Sequence, residues 1–356
     1  MANTVFDFLA YCLSDKKPIP EGLEGLNWDA MYQFARQQSV VGVMFIGVQR
    51  LKETGVEIPR QLFLKWFSQT EKIGKRNMLM NMRTVATVSQ YRQEGFDCCV
   101  LKGQGNATMY PNPLVRTAGD IDLWVDAKRD DIVDFVHSKF PDAEVRYYHV
   151  EYKDNGIPVE AHFMPGIMNN PFYNRRLQQY YSEMMAVQCN HTVELPGGSG
   201  HIPVPTVEFN LIFQLAHMMH HFFDEGIGLR QMIDYYFLLK RAKDEAVDMR
   251  KLENLLKHLN LYKFAGAVMC IMHEVLGLEN EFLIVPSDKK RGKTLFREIV
   301  KGGNFGHFSG LTKHPAWQKY FLKHARSLHF MREYPAEALS EPFFRTWHFF
   351  WRMVYR

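Results

Sequence analysis

The chain's periodicities predict an α+β fold: a mixed-sheet core flanked by helical regions on both sides. Three observations carry that reading. Apolar residues recur at helical spacing through roughly the first 85 positions. Between about 96 and 163 the pattern changes to short apolar or alternating runs separated by helical stretches. From Thr206 onward helical spacing returns almost to the end. The expected regions are 1–85 (N-terminal helical), 86–205 (α/β core) and 206–356 (C-terminal helical).

The elements follow in order. Phe6, Leu9, Ala10 and Leu13 share one helical face, as do Met31, Phe34 and Ala35, and Asn27-Trp28-Asp29 supplies a cap before the second set. Pro59 opens a helix through Phe67, and a separate long helix is expected from about Glu71 to Glu94, ended by Gly95. Phe96 to Leu101 reads as a strand. Gly103 to Tyr110 reads as a short helix stopped by Pro111-Asn112-Pro113. Asp120 to Val125 is a second strand, and Lys128 to Lys139 a helix with Asp126 as its cap. Val145 to Tyr152 and Ile157 to Phe163 form a hairpin around Asp154-Asn155-Gly156. Residues 171 to 187 are helical, 196 to 200 a loop, and Thr206 caps a helix bearing Phe209, Ile212, Phe213 and Ala216. Arg230 and Asp234 are spaced as an i, i+4 pair. Lys289-Lys290-Arg291 reads as a solvated loop. The C-terminal stripe Phe343, Trp347, Phe350 and Val354 reads as a helix docked on the core.

Composition narrows the class. The chain has 356 residues, 46% hydrophobic and 23% charged, which is ordinary for a globular protein of two or three domains. A net charge of +4 suits an anionic ligand but leaves nucleic acid possible rather than indicated. Five cysteines without a C-x-x-C argue against a disulfide framework or zinc ribbon, and point to reduced thiols in a cytoplasmic protein. No signal peptide is expected, and the longest apolar run, around Val40 to Val48, is too short to span a bilayer.

The chemistry concentrates at Asp120 and Asp122. Two apart on a strand, they point the same way while Ile121, Leu123 and Val125 face the core. Adjacent like charges call for a cation, and a hard divalent ion such as Mg²⁺ would bring a polyphosphate with it. Glu160 lies on the last strand of the hairpin and shares a face with His162. If that strand pairs beside the Asp120 strand, three carboxylates converge, enough to hold two Mg²⁺ ions with Glu160 able to act as a base. Upstream, Lys102-Gly103 ends a strand and opens a helix, exposing backbone N–H groups that favour phosphate. Lys102 and Arg116 are either phosphate ligands or structural charges, Lys102 at a strand end and Arg116 in a salt bridge with a nearby aspartate.

This set resembles the nucleotidyltransferase superfamily that includes polymerase beta and kanamycin nucleotidyltransferase. More narrowly, Leu101-Lys-Gly, Tyr110-Pro111, Arg116, Gly119-Asp-Ile-Asp122 and Glu160-x-His162 are similar to the bacterial family called uncharacterised nucleotidyltransferases. So are the histidine-bearing helix at 217 to 221 and Leu229-Arg-Gln-Met-Ile-Asp234, giving a resemblance over roughly 75 to 300. It implies metal-dependent transfer of a nucleoside monophosphate from an NTP to an unidentified hydroxyl or phosphate acceptor, with release of pyrophosphate. Asp120, Asp122 and Glu160 are then the catalytic and metal-binding residues. Lys102, Gly103, Gln104, Arg116 and Gly119 form the nucleotide-binding segment.

One position departs from the superfamily pattern: Gln104 stands where a serine usually follows the glycine. That departure suggests a rival, a catalytically degenerate nucleotide-binding or interaction module. A second rival is a histidine-based metallohydrolase using His217 and His221 at i, i+4, although no glutamate accompanies them as in a zinc protease.

Overall fold

The computed structural model describes residues 2–304 and 315–355. Four helices open the chain: α1 (Ala2–Leu13), α2 (Trp28–Gln37), α3 (Val41–Glu53) and α4 (Arg60–Gln93). Asn27 caps α2, its side chain accepting from the Ala30 amide at 2.9 Å. α4 replaces the two helices expected between Pro59 and Glu94. Its buried positions, Leu62, Trp66, Ile73, Asn77, Met80, Thr84, Val88 and Tyr91, keep helical spacing across the polar stretch near residue 70. A seam that never loses its period has no reason to break.

The centre is a five-stranded mixed sheet in the order β1-β2-β5-β4-β3. Its strands are β1 (Cys98–Leu101), β2 (Ile121–Val125), β3 (Glu144–Val145), β4 (His149–Asp154) and β5 (Ile157–His162). The single strand expected over 145 to 152 is split into β3 and β4. Helix α5 (Gly103–Ala107) follows β1, and α6 (Arg129–Lys139) follows β2. Lys128, not Asp126, occupies the N-cap of α6, and it makes no side-chain cap bond. The pair β1–β2 is antiparallel and β2–β5 is parallel, with Asp122 opposite Glu160.

Beyond the sheet come α7 (Pro171–Asn190) and a hairpin of β6 (Thr192–Leu195) and β7 (Gly200–Pro203), strands that the loop expectation at 196 to 200 did not include. The helices α8 (Val207–Asp224), α9 (Leu229–Asp244), α10 (Met249–His258), α11 (Tyr262–Glu274), α12 (Lys289–Gly302), α13 (Ala316–His329) and α14 (Pro335–Val354) complete the described chain. The basic run at 289 to 291 is the first turn of α12 rather than a loop. The helical expectation over 305–314 lies outside the described residues.

Two apolar cores sit on the two faces of the sheet. Val100, Ile121, Leu123, Val125, Val159 and Ala161 pack with Met80, Val88 and Tyr91 of α4 and with Ile132 and Val136 of α6. Cys99, Leu101 and Trp124 face the other way, into a larger core shared by α1 to α3 and α7 to α11. All five cysteines are free and buried, and the neighbours Cys98 and Cys99 belong to opposite cores. Three of the four stripe residues are not docked: Phe343 is 79% exposed, Phe350 59% and Val354 74%. α14 meets the sheet domain through the fourth, Trp347, which packs around Tyr147 together with Phe344 and Trp351. Among the described residues no helix is long and apolar enough to cross a membrane.

Candidate active site

Strand pleating puts Asp120, Asp122 and Trp124 on the α8 side of the sheet, opposite to Ile121, Leu123 and Val125. Parallel pairing sets Glu160 beside Asp122 and His162 beside Trp124. Ligand oxygens from Asp120, Asp122 and Glu160 all come within 4.8 Å of one another. They line a cleft of about 440 Å³ roofed by His217, His220 and His221 of α8. Lys102, Gly103, Arg116 and Gly119 also line it.

The charges in this cleft are strongly coupled. The Lys102 Nζ lies 2.9 Å from Asp122 Oδ1, and His162 Nε2 lies 3.1 Å from the same oxygen. Burial works against ionisation of Asp122, but Lys102 and His162 outweigh it and hold the carboxyl well below the usual range. Asp120 goes the other way. The charge of Asp122, then burial, pushes it up to about 6. Burial disfavours a charged His162, yet its bonds to Asp122 and Glu160 raise it to about 8. His217 is held well below its ordinary value by burial and by Lys102, whose Nζ is 3.4 Å from His217 Nε2. His220 and His221 are lowered to about 4 and about 3, chiefly by burial.

Backbone geometry shapes the entry to α5. Lys102 adopts φ 51°, ψ −135° and Gly103 has φ 43°. A side-chain residue rarely takes such a conformation, so the turn stores strain next to the acids. Gln104, grouped by sequence with the nucleotide-binding residues, does not enter the cleft. It is 3% exposed and donates to Asn81 Oδ1 on α4. Asn106, two positions on, lines the cleft instead.

Arg116 is committed to a carboxylate. Its Nε and Nη2 donate to Asp234 Oδ1 and Oδ2, both at 2.8 Å, while Tyr110 donates to Oδ1 at 2.6 Å. Asp234 was expected to pair with Arg230 along α9. Its bidentate partner is Arg116, 118 residues away, while Arg230 Nη1 donates to the Thr117 carbonyl at 3.2 Å. Arg116 Nη1 is buried with no hydrogen-bond partner, on a side chain that lines the cleft.

His149 was not foreseen. It is opposite His162 across the β4–β5 hairpin, and its Nδ1 is 3.9 Å from Glu160 Oε2. The signal was present: a two-residue Asn155-Gly156 turn fixes the register and therefore this pairing. Asp234 as the partner of Arg116 had no comparable signal, because its distance in sequence conceals it.

The acids suit a hard divalent cation. One carboxylate is held ionised, the ionisation of a second is made costlier mainly by the charge of the first, and all three residues offer oxygen ligands. Among the described residues, the groups able to gather three ligands are Asp120-Asp122-Glu160 and His149-Glu160-His162. The α8 histidines are in neither, which removes support from the histidine-based hydrolase.

A family model described as Uncharacterised nucleotidyltransferase matches residues 24–277. The match begins about fifty residues before the resemblance traced in the sequence and ends before 300. No curated protein and no solved structure matches the chain.

Proposed function

The chain belongs to the uncharacterised nucleotidyltransferase family, and from that premise we propose that it transfers a nucleoside monophosphate from an NTP to a hydroxyl or phosphate acceptor, releasing pyrophosphate. One observation carries the reading: parallel pairing of β2 and β5 gathers Asp120, Asp122 and Glu160 within 4.8 Å. In this proposal the three acids hold Mg²⁺, which when bound neutralises phosphate charge.

The remaining roles belong to the chain's own groups. Backbone N–H groups after Gly103 cradle phosphate oxygens, and the unpartnered Nη1 of Arg116 offers a further donor. Lys102, already 2.9 Å from Asp122, orients that carboxylate rather than reaching freely for phosphate. Glu160, whose burial disfavours the charge but is outweighed by the hydrogen bond from His162 together with the His149 and His162 rings, is held ionised and accepts the acceptor's proton. Asp234 fixes Arg116 in its rotamer. The proposed regional division is 1–85, 86–205 and 206–356, although residue 85 lies inside α4. A cytoplasmic location is proposed from the five free thiols.

A second reading has one observation in its favour. Gln104 turns into α4, so no side chain at that position helps to hold phosphate, as a degenerate binding module would allow. Calorimetry with ATP, CTP, GTP and UTP in Mg²⁺ tests the proposal. Heat with at least one nucleotide, lost in Asp122→Asn, is expected. No heat with any of the four counts against nucleotide use altogether.

A further inference from the structure

Beside the three acids lies a second set of ligand atoms of different chemistry. His149 Nδ1, His162 Nε2 and Glu160 Oε2 come from adjacent strands whose register places His149 opposite His162. His162 Nε2 is 3.2 Å from Glu160 Oε2, and His149 Nδ1 is 3.9 Å from that oxygen. The longer distance is outside hydrogen-bonding range. It is close to the separation of about 3.3–3.5 Å between two ligands of one tetrahedral ion with bonds near 2.0–2.1 Å.

His149 supplies the independent observation. Its residue is only 7% exposed, and its Nδ1 has no hydrogen-bond partner. A buried polar nitrogen without a partner is costly, and here it faces a carboxylate that lines an open cleft. Tyr148 stacks on the His162 ring with centroids 5.8 Å apart and planes at 21°, which restricts its orientation. Two imidazoles and one carboxylate are the donor set of first-row transition ions, which imidazole favours over Mg²⁺.

We propose that His149, Glu160 and His162 bind one imidazole-preferring divalent cation such as Zn²⁺, next to the all-carboxylate site and sharing Glu160 with it. The ion displaces the proton that His162 shares between Asp122 and Glu160. It leaves a ligand position open toward the cleft. The proposal does not depend on nucleotidyl transfer, since it needs only these three side chains.

Co²⁺ is a suitable probe because its visible absorption reports nitrogen ligation and coordination number. The full chain, stripped with chelator, is titrated with Co²⁺ in excess Mg²⁺. One equivalent is expected to bind with tetrahedral nitrogen-ligated bands. His149→Ala should weaken binding by at least about 10- to 100-fold. Asp120→Asn should keep the bands while losing any Mg²⁺-dependent turnover, which separates this site from the carboxylate site. His149→Gln, checked by circular dichroism, serves if the alanine variant does not fold. Unchanged Co²⁺ affinity in a folded His149 variant, or displacement of Co²⁺ by Mg²⁺ at comparable concentration, would overturn the assignment.

Discussion

Asp120 sits where a second negative charge is costly, so a cation beside it would be stabilising. Its carboxyl is pushed up to about 6, first by Asp122 and then by burial. An acid with a raised folded value loses stability as pH climbs, because the unfolded chain releases its proton earlier. The penalty is absent below about pH 4, grows toward pH 6 and is complete above it. Asp120→Asn should therefore leave the metal-free protein as stable as wild type at pH 7.5, or more stable by on the order of 1 kcal/mol. It should also remove the rise in melting temperature that Mg²⁺ gives to wild type. Thermal unfolding with and without Mg²⁺ checks both parts, and an unchanged Mg²⁺ shift in the variant would contradict them. Asp122→Asn differs, since it leaves Lys102 and His162 facing a neutral amide, and it should destabilise.

Two contacts between elements hold the cleft in shape. α9 is clamped to the segment before β2 by the Arg116–Asp234 pair, both side chains about 5% exposed. Removing one partner of a buried pair strands the other charge, so Asp234→Asn should cost about 3–5 kcal/mol in urea unfolding. A loss under 1 kcal/mol would mean that the clamp is redundant. α14 is tied to the loop before α7 by Glu337, which accepts from the Asn169 and Asn170 amides at 2.7 and 3.2 Å. Burial raises Glu337 to about 7. Between about pH 4.5 and 7 the unfolded chain ionises this group and the folded one does not, so stability falls across that window and then levels off. Glu337→Gln should flatten the fall by on the order of 2–3 kcal/mol, read from denaturation midpoints at pH 5 and pH 8. An equally steep fall in the variant would place the titrating group elsewhere. The Asp-x-Asp spacing was legible because strand alternation is local. α4 was misread as two helices although its buried positions ran on unbroken. The hairpin of β6 and β7 was hidden because Pro196 and the glycines around it signal a turn without naming its strands.

The molecule as a whole joins a sheet, an N-terminal helical group and a C-terminal helical group around one cleft. α4 serves both cores: its Asn77 donates to the Leu114 and Arg116 carbonyls at 2.8 and 2.7 Å, fixing the segment that leads to Asp120. Asn106 receives bonds from Asn210 and Gln214 of α8, which sets the height of the cleft roof. None of these long-range bonds has a sequence signature, since each depends on the tertiary arrangement of helices rather than on local period. The β2–β5 pairing was anticipated only conditionally, because a parallel neighbour cannot be read from one strand. The most direct test is pyrophosphate release by purified protein from α-labelled NTPs against pools of small-molecule, protein and RNA acceptors. Wild type should release pyrophosphate and label an acceptor only with a divalent cation, and folded Asp120→Asn and Asp122→Asn should do neither. Turnover retained in both variants would contradict the account.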